Sequence, residues 1–200
     1  MTSTAGVEPG SSRETILRTA AACFAKEGYA HARMVSIAEQ AGISRAGLYK
    51  QFPSKGALLT ALHAYMIDDW RAWLEDSVAS CETACGAIER WLREGLADSW
   101  RVTAAQVVIS EAAQSDLATD AGATQAALET TRRTLARILR QGIARGELRA
   151  DLDVTATAHS LQAILLGLLR SQLADRPIVT IERKPQLDAL VGVVLGGVAR

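Results

Sequence analysis

Arg45, Ala46, Gly47, Tyr49 and Lys50 crowd into one short stretch, with a guanidinium, a phenol and an ammonium set around two small residues. A guanidinium can donate to both acceptors of a guanine edge, which makes Arg45 a candidate for reading a base. The hydroxyl of Tyr49 and the ammonium of Lys50 suit phosphate oxygens, contacts that position a protein without reading sequence. Ala46 and Gly47 leave room for a thymine methyl or the nucleic-acid backbone to come close. Ser44, just before them, is a helix-capping residue type whose hydroxyl could also touch phosphate. Lys55 could offer a phosphate both its ammonium and its backbone N–H at a helix start, and Arg33, upstream, could reach one directly. The bland alternative for such a row is a solvated polar face, so the elements that carry it decide.

Those elements are two short helices and a tight turn. Residues 34–55 read Met-Val-Ser-Ile-Ala-Glu-Gln-Ala-Gly-Ile-Ser-Arg-Ala-Gly-Leu-Tyr-Lys-Gln-Phe-Pro-Ser-Lys. Ala38 is small where two helices would cross closely, and Gly42 supplies a positive φ to end the first of them. Leu48 would pack back on Ile37 and Ile43 and fix the angle between the helices. This is the grammar of a helix-turn-helix, whose second helix lies in a DNA major groove. Ahead of it, Ser11 and Glu14 form a capping box, and Ile16, Leu17, Ala20, Cys23 and Phe24 form an apolar stripe ending at Gly28. After it, Pro53-Ser54 breaks the second helix and caps a long connector starting at Lys55, with Leu58, Leu59, Leu62, Met66, Trp70, Trp73 and Leu74 along one side.

The rest of the 200 residues also reads as helix, with 48% apolar content and only four prolines. Period-two runs of β-branched and aromatic residues are missing, so an all-α fold is expected. Amphipathic helices are predicted over 84–100, 103–114, 124–145 and from a cap at Asp153, with a polar loop over 115–123 and a stop at Arg176-Pro177. The 103–114 helix, apolar nearly all round, is expected at the centre of the body. Net charge is zero, but residues 11–60 carry seven Lys/Arg against three Asp/Glu, a small basic excess on an otherwise acidic chain. The segment 1–10, small and polar, is expected to be disordered. No apolar run reaches the ~18–20 residues of a membrane span, so a cytoplasmic protein without a membrane partner is expected.

The last helix, from Pro185, repeats Leu187, Leu190, Val191, Val194, Leu195 and Val198 at helical spacing, with Gly192 and Gly196 four apart. That stripe is core or subunit interface. A two-fold dimer would set two recognition helices on successive major-groove turns, which favours the interface. Trp70, Trp73, Trp91 and Trp100 lie on helices that would enclose a cavity, and Glu111, His159 and Gln162 interrupt apolar stripes. Of these, Trp70, Trp91, Trp100, Glu111, His159 and Gln162 are candidate small-molecule contacts, the alternative being ordinary core residues with satisfied polar groups. Cys81 and Cys85, four apart, leave open a thiol- or metal-sensing role, although no His-rich or second cysteine pair accompanies them. No nucleophile elbow, His-Glu metal pair or glycine-rich phosphate loop is present, so no catalytic residue, metal ligand or cofactor is expected; a helical enzyme with a DNA-targeting head is the remote alternative.

Ile16-Leu17, Ala20, Phe24, Gly28-Tyr29, Ile37-Ala38, Ala41-Gly42-Ile43-Ser44, Leu48-Tyr49, Phe52, Ser54-Lys55 and Leu58-Leu59 together resemble the TetR family of bacterial transcriptional regulators. The segment 107–118 and Gly146-Glu147-Leu148 are similar to C-terminal domains of that family. The resemblance implies a DNA-binding head over 11–55 and an effector-binding, dimerising body over 56–200. It also implies a homodimer on a palindromic double-stranded operator, released by a small-molecule effector, with the last two helices of each subunit forming a four-helix bundle. Arg33 departs from the pattern: the family commonly has a threonine there, which caps the helix and touches phosphate. An arginine side chain has no acceptor for an N–H, and its charge opposes the helix dipole.

Overall fold

A computed structural model describes residues 13–97, 100–110, 113, 116, 121–171 and 185–199. Among them the chain is all-α, with one isolated bridge between Leu148 and Ala199 as its only β-type pairing. The helices are α1 (Arg13–Glu27), α2 (Met34–Gln40), α3 (Arg45–Gln51), α4 (Lys55–Trp73), α5 (Ala84–Gly95) and α6 (Trp100–Ile109). They are followed by α7 (Ala121–Ala144), α8 (Val154–Ser171) and α9 (Pro185–Val198). A π-helical turn, Leu74–Val78, extends α4. The expected disordered tail, the Ser11 cap and the Arg176-Pro177 stop fall outside the described residues.

Local chemistry sets the head. Gly42 takes a φ of 70°. Around it the Ile43 N–H donates to Ala38 O at 3.0 Å and the Gly42 N–H to Glu39 O at 3.2 Å, the paired closing bonds of a left-handed helix end. Ser44 caps α3 by accepting from the Gly47 N–H at 3.0 Å, and Ser54 caps α4 by accepting from the Ala57 N–H at 3.0 Å. Each such cap contributes about 1 kcal/mol. Ile16, Phe24, Ile37, Leu48, Phe52, Leu58 and Leu62 fill the core beneath α1–α4.

That core is not confined to the head. Ala104, Val107 and Val108 of α6, with Ala113, belong to it. So α6, expected at the centre of the body, lies between the two regions: it packs on α1 and α4 on one side and on α8 on another. Trp100 opens this helix rather than ending the preceding one. The body has its own core, built on Trp73, Leu74, Ile88, Trp91, Leu92, Leu135, Leu139, Leu161 and Leu165. Gly142 permits its closest approach: a Cβ there would stand 2.5 Å from Ala84 Cβ and 2.8 Å from two Leu148 carbons.

Part of the loop expected over 115–123 is helix. Asp116 is helical, and α7 begins at Ala121. No helix among the described residues is long and apolar enough to cross a membrane.

Candidate functional site

Leu48 is 0% exposed, which turns the neighbouring side chains of α3 outward. Ser44, Arg45, Ala46, Tyr49 and Lys50 are all exposed, and so is Arg33. The Arg45 guanidinium lies 5.5 Å from the centre of the Tyr49 ring, one helical turn on. This stacking holds the guanidinium along the outer face of α3 instead of leaving it to sample solvent. Arg33 occupies the N-cap of α2 in an extended conformation and makes no side-chain capping bond, so its charge is available outside the helix.

Two expected contacts change meaning. Gly47 is half-buried, and a Cβ on it would sit 3.2 Å from Ser44 Oγ. Its small size serves the cap of α3 rather than an approaching ligand. The Lys55 ammonium, expected on a phosphate, is committed inward. It donates to the carbonyls of Tyr29 and Ala30 at 2.8 Å and of Ala32 at 3.3 Å. It also sits 4.8 Å from the centre of the Tyr29 ring. An ammonium has three N–H donors, and the turn between α1 and α2 takes all three. The backbone N–H at the start of α4 is what Lys55 has left to offer an anion.

Tyr29 extends this clamp towards the body by donating its hydroxyl to Asp116 Oδ2. Burial, then the bond to Asp116, pushes the phenol well above its ordinary range. Arg18 adds a second tie: it pairs with Glu14 at 2.8 Å, donates to Tyr65 Oη at 3.4 Å and lies 4.8 Å over the Trp100 ring. Trp100 in turn stacks on Tyr65 at 5.0 Å. It therefore belongs to the joint between head and body and does not line the cavity, a correction to its candidacy as a ligand contact.

The body holds a partly open cavity of about 100 Å³. Helix α4 supplies His63, Met66, Ile67 and Trp70, α5 supplies Trp91, and α6, α7 and α8 complete the wall. Trp70, Trp91 and Gln162 thus stand where the sequence suggested. Gln162 donates to Leu128 O at 2.9 Å and accepts from Arg132 Nη1 at 3.2 Å. His159 is a correction: it is exposed on the outer face of α8, away from the cavity. Glu111 lies outside the described residues. His63 was missed. It is buried, lines the cavity and sits 3.0 Å from Thr124 Oγ1 of α7. Its signal was a polar side chain beside Leu59, Leu62 and Met66 on an apolar stripe.

Trp91 is 1% exposed, and its indole N–H has no hydrogen-bond partner among the described residues. The indole of Trp73, packed against it at 5.9 Å, donates instead to Glu94 at 2.7 Å. A buried donor left unpaired costs about 1–3 kcal/mol.

On α9 the expected interface stripe divides. Val191 and Val198 are buried inside the subunit, and Leu187, Val194 and Leu195 pack on the same core. Val191 and Val198 thus face the subunit's own interior, while Leu187, Val194 and Leu195, like Leu190, are half-buried. The outward face carries Ala189, Gly192, Val193 and Gly196, with Val193 75% exposed. A 3.6-residue period reveals a stripe but not what meets it.

Cys81 and Cys85 are half-buried and are not joined in a disulfide. Burial, then the Glu147 carboxylate, pushes the Cys85 thiol up and away from the reactive thiolate. Among the described residues no group of three or more His, Cys, Asp or Glu side chains could hold a metal.

Comparison with known proteins gives one direction. Residues 16–62 match the family described as bacterial regulatory proteins, tetR family. Residues 121–183 match the tetracyclin repressor-like C-terminal domain. A relative in Corynebacterium jeikeium (strain K411), the HTH-type transcriptional repressor AcnR, is 32% identical over 165 residues, covering 80% of each chain. The ketosteroid transcriptional regulator KstR2 of Mycobacterium tuberculosis superposes with a TM-score of 0.67 at 25% identity, covering 96% of this chain and 97% of that one. AibR, solved with isovaleryl coenzyme A and operator DNA, superposes at 0.62 and 20% identity, covering 90% and 96%.

Proposed function

The chain belongs to the TetR family of bacterial regulatory proteins, and from that premise we propose a homodimeric repressor in the cytoplasm, with no enzymatic activity, that leaves a palindromic operator when a small molecule enters its body. The observation that carries the DNA reading is the outward face of α3: Arg45 stacked on Tyr49, with Lys50 and Ser44 beside it and Leu48 buried behind. Arg45 reads a base; Tyr49, Lys50, Ser44 and Arg33 hold phosphates; Ala46 allows close approach; and the backbone N–H of Lys55 adds an anion contact. The head spans 11–55 and the body 56–200, with α6 shared between their cores.

Two copies join through the outer faces of α8 and α9. Ala156, Ser160, Ala163 and Gly167 on α8 and Ala189, Gly192, Val193 and Gly196 on α9 are exposed and mostly small, which lets helices approach closely. Leu190 borders this surface. The resulting two-fold would set two α3 helices about 34 Å apart, one turn of DNA. AibR was solved with both an acyl-coenzyme A and operator DNA, which supports a body that senses a small molecule.

The test is fluorescence anisotropy on the DNA upstream of the protein's own coding sequence, titrated with salt. Lys50→Met removes one phosphate contact per subunit, so the log–log salt slope falls by about 1.8 for a dimer. Arg45→Ala instead costs about 1–3 kcal/mol of discrimination at one base pair in each half-site. Undiminished binding by the combined Arg45→Ala, Tyr49→Phe and Lys50→Met protein overturns the assignment.

A further inference from the structure

Ion pairing differs between the body and the head. From Arg71 to Arg137 every arginine, Arg101 with Asp69 and Arg137 with Glu75 among them, pairs with a carboxylate. Arg33, Arg45 and Lys50 of the head have no carboxylate partner among the described residues, which leaves their charge to a polyanion. Arg13 belongs with them. It is exposed and likewise makes no ion pair among the described residues. Its guanidinium lies 4.6 Å from the centre of the Phe52 ring, and Phe52 is the C-cap of α3, buried with Leu48 on the inward side of that helix. The first residue of α1 therefore stands where the recognition helix ends. Stacking occupies the face of a guanidinium; its five N–H donors point outward in the plane and remain for a ligand that accepts two at once, as a phosphate does. The ring meanwhile holds the group in place, so less freedom is lost when it binds. Arg18, further along α1, is the contrast: it stacks on Trp100, but its donors go to Glu14 and Tyr65.

We propose that Arg13 is a phosphate-binding residue outside the helix-turn-helix, clasping the DNA backbone through two N–H donors beyond the C-terminal end of α3. The inference rests on the reading of α3 as the DNA-contacting helix and extends that surface to α1. It also gives the effector signal a second exit. Helix α1 packs along α6, whose Val108 lines the cavity, so a movement of that wall reaches a phosphate contact without passing through α3.

Salt titration of DNA binding by the full chain, followed by fluorescence anisotropy, reads the contact directly. Arg13→Gln keeps a planar group over Phe52 and removes the charge. Its log–log slope is expected to fall by about 1.8 for a dimer, with binding weakened equally on operator and on an unrelated duplex. Arg133→Met, which removes one charge from a body side chain that is 72% exposed, gives the baseline for net charge alone. If Arg13 only covers the Phe52 ring, Arg13→Gln lowers the thermal midpoint and leaves the slope at the Arg133→Met value, which overturns the proposal. Should circular dichroism show Arg13→Gln unfolded, Arg13→Met, which keeps the apolar stem over the ring, decides in its place. Lys50→Met in the same assay separates the two readings. A slope that falls in Lys50→Met but not in Arg13→Gln removes Arg13 and leaves α3 on the DNA. A slope that falls in Arg13→Gln alone keeps Arg13 and removes Lys50, and a slope that falls in neither removes both.

Discussion

Lys55→Met distinguishes a lysine that holds the head together from one that holds DNA. The substitution keeps the length and apolar stem of the side chain and deletes the ammonium. In the folded protein that ammonium makes two bonds of 2.8 Å and one of 3.3 Å to the carbonyls of Tyr29, Ala30 and Ala32. A bond to a charged donor contributes about 1.5–3 kcal/mol. The longest of the three contributes least, and water can replace part of the others at this half-buried site, so the expected loss is about 2–3 kcal/mol. For a chain of this size, each kcal/mol moves the midpoint by about 2–4 °C, which predicts a fall of roughly 4–12 °C in thermal denaturation followed by circular dichroism. The salt dependence of operator binding should stay where it was, since no phosphate contact is lost. Were the ammonium on the DNA, the pattern would invert: an unchanged midpoint and a salt slope lower by about 1.8 for a dimer. That second pattern refutes the clamp.

The remaining predictions concern the joint, the core and the dimer. Tyr29 keeps its phenol neutral in the folded chain, with its pKa raised by burial and by Asp116; its contribution is complete below the unfolded value of about 10 and is lost as pH rises towards the folded one. The midpoint should therefore drop more steeply above pH ~10 in the unaltered protein than in Tyr29→Phe, as read by a pH series of thermal melts. Gly142→Ala should cost about 1–3 kcal/mol by overpacking, because its Cβ would collide with Ala84 and Leu148; urea denaturation measures this. Val193→Asp should leave the helical spectrum intact and shift the protein towards monomer in sedimentation equilibrium, because Val193 is 75% exposed on the outer face of α9.

What was legible in the chain was local. Gly42, Ser44 and Ser54 act on residues three or four positions away, and such relations can be read directly from sequence. The apolar stripe of α9 was equally plain, but its partner was not: the same period serves a core and an interface, and only the fold showed Val191 turned inward and Val193 outward. Lys55 was misread because its three acceptors lie 23–26 positions earlier and are backbone carbonyls, which carry no residue signature. Trp100 was placed near the cavity because aromatic spacing on a helix gives no direction. It faces Tyr65 and Arg18 across a joint that exists only once α1, α4 and α6 have met.

That joint gives the proposed switch a physical route. Val108 belongs to the core beneath the head and also to the wall of the cavity. Met66 of α4 packs on the same head core and lines the same cavity. An occupant larger than the present space must push the wall outward, and interiors at native packing density have little slack to absorb the movement. Displacement at Val108 or Met66 is then passed to α1 and to the start of α4, where Lys55 and Tyr29 hold the turn ahead of α2. The ligand can shift the balance between DNA-bound and released forms only by as much as it prefers one cavity shape over the other. Moving the balance from 1:99 to 99:1 requires about 5.5 kcal/mol of such preference. Val108→Ala tests the route without touching ligand polarity or DNA contacts: it relaxes the wall exactly where the two regions share a side chain. A given ligand should still bind, while the loss of operator affinity that it causes should shrink. Unchanged coupling in that variant, with both binding events intact, would mean that the signal crosses elsewhere.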